Sequence, residues 1–316
     1  MTNDICKRQS CEDSVKIAAA FRYAYGRAKF WKSWVWSLTV ILAVLQLIAA
    51  INHKNLKVYL PDDLAAMVVT VSLTSMLMAT LGRHYFISRS IEVGGKLQRL
   101  HDFKVLGLGV KPTVLEVSQS QIDRLSSKWL NKRPEDRPNI SEWWPNSVAE
   151  LPENLGITLC LFSTFRWESE LRNKYALVLI AAGTALLIGS LVLMHVLGYQ
   201  IAEYVVKIFT PISPLIALLV DEWLLNSSGL KIAQDASRQA LTLWDKALGS
   251  GEIDDDNDEL NRLNYLWSGY RSSTSPIFDW LYWLTQKTMN KDMIIDASSL
   301  VSEYMQKQVD HGANRS

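Results

Sequence analysis

The chain has 316 residues, 48% of them hydrophobic, with 33 Lys and Arg against 32 Asp and Glu for a formal net charge of +1. That length leaves room for two modest domains, and that balance offers nothing to draw a polyanion such as DNA, so no nucleic acid is expected as a partner. Cys6, Cys11 and Cys160 are an odd set with no histidine at metal spacing, which excludes a disulfide framework and a zinc site and leaves reduced thiols.

Taken in chain order, residues 12–33 read as a helix that leads into an uncharged run from Ser33 to Asn52. A second uncharged run covers Leu64 to Gly82 and a third Ala176 to Ala202, while Ile208 to Val220 follows the third after Glu203 and Lys207. Each of the first three approaches the roughly 20 residues a helix needs to cross about 30 Å of hydrocarbon. The fourth is short enough to be a buried core helix, but a tight turn at Gly198, Tyr199 and Gln200 makes it the return arm of a hairpin. The first apolar run begins only at Ser33, after a polar and basic stretch, so it reads as a retained signal anchor and not as a cleaved peptide.

The fold class expected is therefore an all-α membrane protein with four transmembrane helices in two hairpins. The expected divisions are an N-terminal helix at 1–32, hairpin 1 at 33–86 with spans 33–52 and 64–84, and a central segment at 87–175. Hairpin 2 follows at 176–225 with spans 176–197 and 201–222, and a helical C-terminal segment occupies 226–316. Gly94-Gly95 mark an expected weak point in the helix leaving the second span. Four prolines between Arg133 and Gly156 forbid long regular elements there. The acidic run "EIDDDNDE", 252–259, lacks the glycine of a calcium loop and reads as a solvated loop.

Lys and Arg number seven in residues 1–33, fourteen in 83–175 and nine in 221–316, against two in 53–63 and none in 198–202. By the positive-inside rule both termini and the central segment are cytoplasmic, with Arg22, Arg27, Lys29, Lys32, Arg83, Arg89, Arg172 and Lys174 flanking the spans. Little of the chain remains on the far side, which places its function on the cytoplasmic side or within the bilayer.

No catalytic pattern emerges. The five histidines form no His-Glu-x-x-His, no phosphate-gripping glycine loop is present, and no Gly-x-Ser-x-Gly elbow occurs. The expectation is a protein that is not an enzyme, with no catalytic residue, no metal and no cofactor. Within the membrane, Glu203 and Lys207 are four apart and face each other, either as a gate or as an interfacial ion pair. Pro211 and Pro214 interrupt helical hydrogen bonding in a span that is thereby a candidate for movement. Gln46 and the hydroxyls Thr70, Ser72, Thr74, Ser75 and Thr80 scatter around their helices in a way that suits packing better than a hydrated face.

The stretch "YRSSTSPIFDWLY", 270–282, admits two readings. Ser275 can cap a helix whose first turn holds Pro276 and Asp279. The same helix start, with Arg271 and the hydroxyls of Ser272 and Ser273, could also cradle a phosphate, with Tyr270, Trp280 and Tyr282 free to stack on a base or fill a core.

Arg271, Ser272, Ser273, Ser275 and Pro276, followed by Asp279, Trp280, Leu281 and Tyr282, resemble a motif of the bacterial SMODS-associating four-transmembrane effector family. A second block, "WWPNSVAELPENLGITLCLFSTFRWESELRNKY", is similar to the family's run before the third span through Trp144, Pro145, Leu151, Pro152, Cys160, Trp167, Glu168, Leu171 and Arg172. Where the family carries Gln-Arg-x-Asn after the cysteine, this chain has Leu161, Phe162, Ser163 and Thr164. The resemblance implies an effector of cyclic-oligonucleotide-based anti-phage signalling (CBASS) in the bacterial inner membrane. A cGAS/DncV-like nucleotidyltransferase would make its activating cyclic di- or trinucleotide, and a homo-oligomer would then breach the bilayer by pore formation or disruption. The ligand site expected from this motif and residue chemistry uses Arg271, Ser272, Ser273 and Ser275 for phosphate and Arg166 and Arg172 as further cations. Trp167 or Tyr282 would stack, and Asp279 lies beside them. A constitutive channel or transporter and a non-catalytic membrane anchor for a partner are the other classes left open.

Overall fold

The structure, a computed structural model, describes residues 3–51, 64–109, 111–113, 116–250 and 258–313. The 53–63 connection and most of the acidic 252–259 run lie outside the described residues. Among the described residues every regular element is helical. In order they are α1 (Ile5–Ser10), α2 (Glu12–Ile51), α3 (Leu64–Gly82), α4 (Arg89–Leu106), α5 (Gln119–Lys132), α6 (Arg137–Ser141), α7 (Glu153–Val196), α8 (Ile201–Tyr204), α9 (Thr210–Ser250), α10 (Asp258–Ser273) and α11 (Asp279–Ala313). Two π-helical segments, Arg83–Ser88 and Val205–Phe209, join α3 to α4 and α8 to α9.

Four continuous helical stretches are long and apolar enough to cross a membrane: Glu12–Ile51, Ala66–Leu106, Glu153–Val196 and Ile201–Gly249. The chain divides into two compact units. One comprises Met1–Gly26, Ser90–Asn173 and Ser228–Ser316, and the other Arg27–Arg89 and Lys174–Ser227. We call them the helical unit and the four-span unit.

The helical unit is organised around apolar clusters. The largest joins α7, α9, α10 and α11 through Leu155, Leu159, Phe165, Trp244, Trp267 and Val301. Alanines at 233, 236, 240 and 247 form one face of α9 in this cluster, and their small side chains let the helices approach closely. A second cluster joins α2, α4 and α5 through Ile17, Ala20, Ala24, Leu97, Leu100, Ile122 and Leu125. Asn3 fixes the start of the chain by donating from Nδ2 to the carbonyls of Val148 at 2.6 Å and Leu151 at 2.9 Å.

Two local expectations are corrected. α4 runs unbroken through Gly94-Gly95, both of which are buried. A Cβ on Gly94 would come within 2.9 Å of the Tyr25 ring, so glycine here serves close packing of α4 on α2 and not a break. Tyr25 completes that contact by donating to Gln98 Oε1 at 3.1 Å. The last helix starts at Asp279, as expected for a helix over 279–309, but residues 274–278 form an irregular link between α10 and α11, so Ser275 does not stand at its cap.

Gly94→Ala is expected to cost about 1–3 kcal/mol through overpacking against Tyr25. Gly183→Ala, where a Cβ meets nothing within 4 Å, is expected to be neutral. Thermal unfolding of the purified protein in detergent compares the two, and equal midpoints would show that the Tyr25 contact does not control α4.

Candidate functional site

In the helical unit, the two arginines of the sequence motifs close the ends of one aromatic stack. The Arg271 guanidinium lies 3.8 Å from the ring centroid of Trp267. Trp267 is stacked on Tyr270 with centroids 4.9 Å apart and planes 7° from parallel. Arg172 completes the stack at 4.9 Å from the Tyr270 ring. Desolvated cation–π contacts of this kind contribute about 2 kcal/mol each.

Both arginines also have carboxylate partners. Arg271 Nη1 is 3.1 Å from Asp102 Oδ2. Arg172 Nε donates to Tyr270 Oη, whose hydroxyl donates to Glu168 Oε2 at 2.8 Å, and the Arg172 terminal nitrogens reach the Ser275 carbonyl at 3.4 and 3.5 Å. Gly229 of α9 makes room for this, since a Cβ there would meet Thr274 at 2.9 Å and Arg172 at 3.2 Å. Burial pushes the Tyr270 phenol well up and the Arg271 guanidinium down, with Asp102 the main charge opposing the latter. A phosphate at Arg271 or Arg172 would therefore have to displace a carboxylate or a carbonyl already in place. Ser272 and Ser273 lie in the last turn of α10, and Ser275 is buried in the link that follows.

A second aromatic group lies elsewhere in the same unit. Trp167, buried on α7, has its ring centroid 5.7 Å from Tyr282 of α11 and 5.9 Å from Trp143, and its Nε1 donates to Asn290 Oδ1 at 3.1 Å. Arg166, beside it in sequence, is exposed and paired with Asp296 at 3.2 Å. Asp279 opens α11 one turn before Tyr282.

Arg22 of α2 lies outside the set that the sequence motifs point to. Its one hydrogen bond among the described residues is a 3.3 Å contact from Nη2 to the Asn139 carbonyl, and no carboxylate there lies within ion-pairing distance. Burial lowers its basicity, Tyr282 and Asp136 oppose that shift, and Arg133 adds repulsion. Arg133 itself lies 4.9 Å over the Trp129 ring. An arginine with no carboxylate in ion-pairing distance, within electrostatic range of Tyr282, has the chemistry to take a phosphate. In the sequence Arg22 looks like one more flanking cation.

In the four-span unit, Glu203 and Lys207 pair at 2.8 Å and hold the turn between the third and fourth spans. Glu203 forms a reciprocal cap with Gln200, and Lys207 lies 4.5 Å over the Tyr199 ring. Pro211 is buried immediately after the π-helical segment. Pro214 sits inside α9 and has no N–H for the carbonyl of Thr210. That carbonyl instead lies 2.8 Å from the Ser213 hydroxyl and 3.1 Å from the Ser72 hydroxyl of α3.

No group of three or more His, Cys, Asp or Glu able to hold a metal occurs among the described residues. An all-α fold with four helices long and apolar enough to span a bilayer, carrying a separate helical unit, defines a polytopic membrane protein. The model of the SMODS-associating 4TM effector domain matches residues 3–300, and the chain belongs to that family. No curated protein and no solved structure matches it.

Arg172→Met breaks a buried, multiply bonded cation and is expected to cost about 3–5 kcal/mol. Arg166→Ala removes an exposed ion pair worth about 0–1 kcal/mol. Unfolding midpoints of the two variants compare them, and an Arg172 variant as stable as wild type would deny the stack its structural role.

Proposed function

We propose that this protein is a non-catalytic effector of bacterial anti-phage signalling, switched on by a cyclic di- or trinucleotide bound in its helical unit. Once switched on, it permeabilises the inner membrane and kills the infected cell. The observation that carries this reading is the family match across residues 3–300, joined to four spans with a separate helical unit. The nucleotide would come from a cGAS/DncV-like nucleotidyltransferase, with both termini cytoplasmic, as the distribution of Lys and Arg implies. Assembly into a homo-oligomer would steepen the response.

In this proposal the ligand surface centres on Arg22, Tyr282 and Trp167, with Arg166 and Asn290 nearby. Arg22 supplies the phosphate contact, because burial lowers its basicity, no carboxylate is in ion-pairing distance and Tyr282 is in electrostatic range. Half-buried Tyr282 offers its ring to a base, and the buried Trp167 packs against it. Arg271 and Arg172, with Ser275, hold α10 and the α10–α11 link in place. The ligand shifts the protein toward its active arrangement only by binding that arrangement more tightly.

Trp143 and Trp167 supply the readout. Intrinsic fluorescence of the purified protein, titrated with a panel of cyclic di- and trinucleotides, is expected to change saturably with one of them. Arg22→Gln is expected to weaken that binding by about 10- to 100-fold, the loss of one charge-assisted hydrogen bond, without lowering the unfolding midpoint. Unchanged affinity in the Arg22 variant would move the site elsewhere. Absence of binding across the panel would favour an anchor for a protein partner.

A further inference from the structure

In the four-span unit large apolar side chains face outward, and polar and small ones face inward. On α2, Lys32, Thr39 and Gln46 are buried while Leu38, Ile41 and Leu45 are exposed, and Lys32 pairs with Glu222 at 2.5 Å. On α3, Ser72 and Ser75 face in, whereas Thr70, Thr74 and Thr80 face out among exposed Leu73, Met76 and Leu77, so the hydroxyls that look scattered in the sequence are sorted. Hydrocarbon covers an outward apolar surface of this kind. The helical unit also carries an outward apolar surface, and no span accounts for it.

Among the described residues of that unit, the exposed large apolar side chains other than Leu241 and Tyr265 all lie on α11. Trp280, Trp283, Leu284, Ile294 and Ile295 are 45–74% exposed, and Met305 and Val309 continue the series. At about 100° per residue they fall within one arc of roughly 120°, which runs about 44 Å along the helix. The core does not depend on them, because Met289, Met293, Ala297 and Tyr304 are the buried side of α11. A contiguous apolar surface of that length marks an interaction site.

Charge on this arc has one sign. Lys287 and Lys291 lie within it, both exposed, and neither has a carboxylate partner among the described residues. No carboxylate of α11 falls in the arc by position. Asp296 is instead paired with Arg166 at 3.2 Å and Glu303 with Lys307 at 3.3 Å. The two lysines line a shallow groove with Trp283, Asn290, Ile294 and Ile295, which sets ammonium groups between an aromatic anchor and an aliphatic one.

That charge pattern decides between occupants. A second copy of the chain laid face to face would bring the lysines of both copies together with no carboxylate to meet them, in either direction of packing. A bilayer surface rich in acidic phospholipid meets every feature. Its phosphates suit lysines whose stems lie along apolar surface while their heads reach outward. Its headgroup layer is where tryptophan settles and where an apolar helix face is buried shallowly. α2, α7 and α9 each run unbroken from the four-span unit into the helical unit, so the bilayer is tethered to α11 at high effective concentration.

We propose that the outer face of α11 docks on the acidic phospholipid surface of the membrane that the spans cross. Lys287 and Lys291 take lipid phosphates, and Trp280, Trp283, Leu284 and Ile294 enter the headgroup layer. Docking goes beyond the nucleotide reading and does not rest on it.

The test uses the full chain in nanodiscs without nucleotide, carrying the fluorophore NBD on Leu284→Cys. Cys6→Ser and Cys11→Ser remove the other accessible thiols, since Cys160 is fully buried. The discs contain phosphatidylcholine alone or with phosphatidylglycerol, each with a trace of lipid spin-labelled near its headgroup as quencher. With phosphatidylglycerol, the label is expected to shift to the blue and to be quenched, while a label on Ser299→Cys, exposed on α11 but outside the arc, is not. Lys287→Gln and Lys291→Gln are each expected to weaken the preference for phosphatidylglycerol about fivefold, and Lys287→Glu with Lys291→Glu to abolish it. Both lysines are exposed, so unfolding midpoints are expected to stay at the wild-type value. A label on Leu284→Cys quenched no more than one on Ser299→Cys would overturn the proposal, and an acidic protein partner would then be the better occupant. Quenching that ignores both phosphatidylglycerol and the lysine reversal would overturn it too. Disulfide linking of two unlabelled Leu284→Cys chains in lipid-free detergent would overturn it in favour of self-association.

Discussion

Arg172 is the residue on which most of the helical unit's polar chemistry converges. Its guanidinium covers the Tyr270 ring, bonds to the Tyr270 hydroxyl, reaches the Ser275 carbonyl and approaches Glu168. It does so inside a pocket that exists because residue 229 has no side chain. Through Tyr270 and Trp267 the contact extends to Arg271 and Asp102, so that α4, α7 and α10 share one stack of rings and charges. A buried cation needs this many partners, since each unmet hydrogen or lone pair would cost more than a neutral contact returns.

The same helix then enters the four-span unit, where three residues on Tyr175 stands beside the Lys32–Glu222 pair. One further ion pair, Arg83 with Asp221, joins the second and fourth spans. Apolar contacts alone give weak preference among helix arrangements in lipid, because lipid tails compete for the same surface. Interior charges and hydrogen bonds supply that preference here.

The sequence made the four spans plain, since an uncharged apolar run as long as a bilayer is thick suits little besides a crossing, and the all-α class followed from them. It also carried the family, through residues near Trp144 to Arg172 and Arg271 to Tyr282. The partners of those residues were not legible. Asp102 and Arg271 are 169 positions apart, and no local pattern pairs them. Lys32 counts as a flanking cation by composition, which ignores the face of a helix that a residue occupies. The intervals from Lys32 to Thr39 and from Thr39 to Gln46 are each seven residues, and that spacing was the available sign of an inward stripe. Gly94 reads as a break by its propensity alone, and tertiary packing against Tyr25 overrides that propensity.

The claim that unites both units is that occupancy of the helical unit controls the permeability of the bilayer. Leak of dye and potassium from liposomes containing the purified protein, titrated with cyclic di- and trinucleotides, tests it most directly. The result expected is a leak that one nucleotide triggers and that saturates with its concentration. A full leak in the absence of any nucleotide from folded, inserted wild-type protein would contradict the link, as would a nucleotide that binds to saturation and leaves the liposomes sealed.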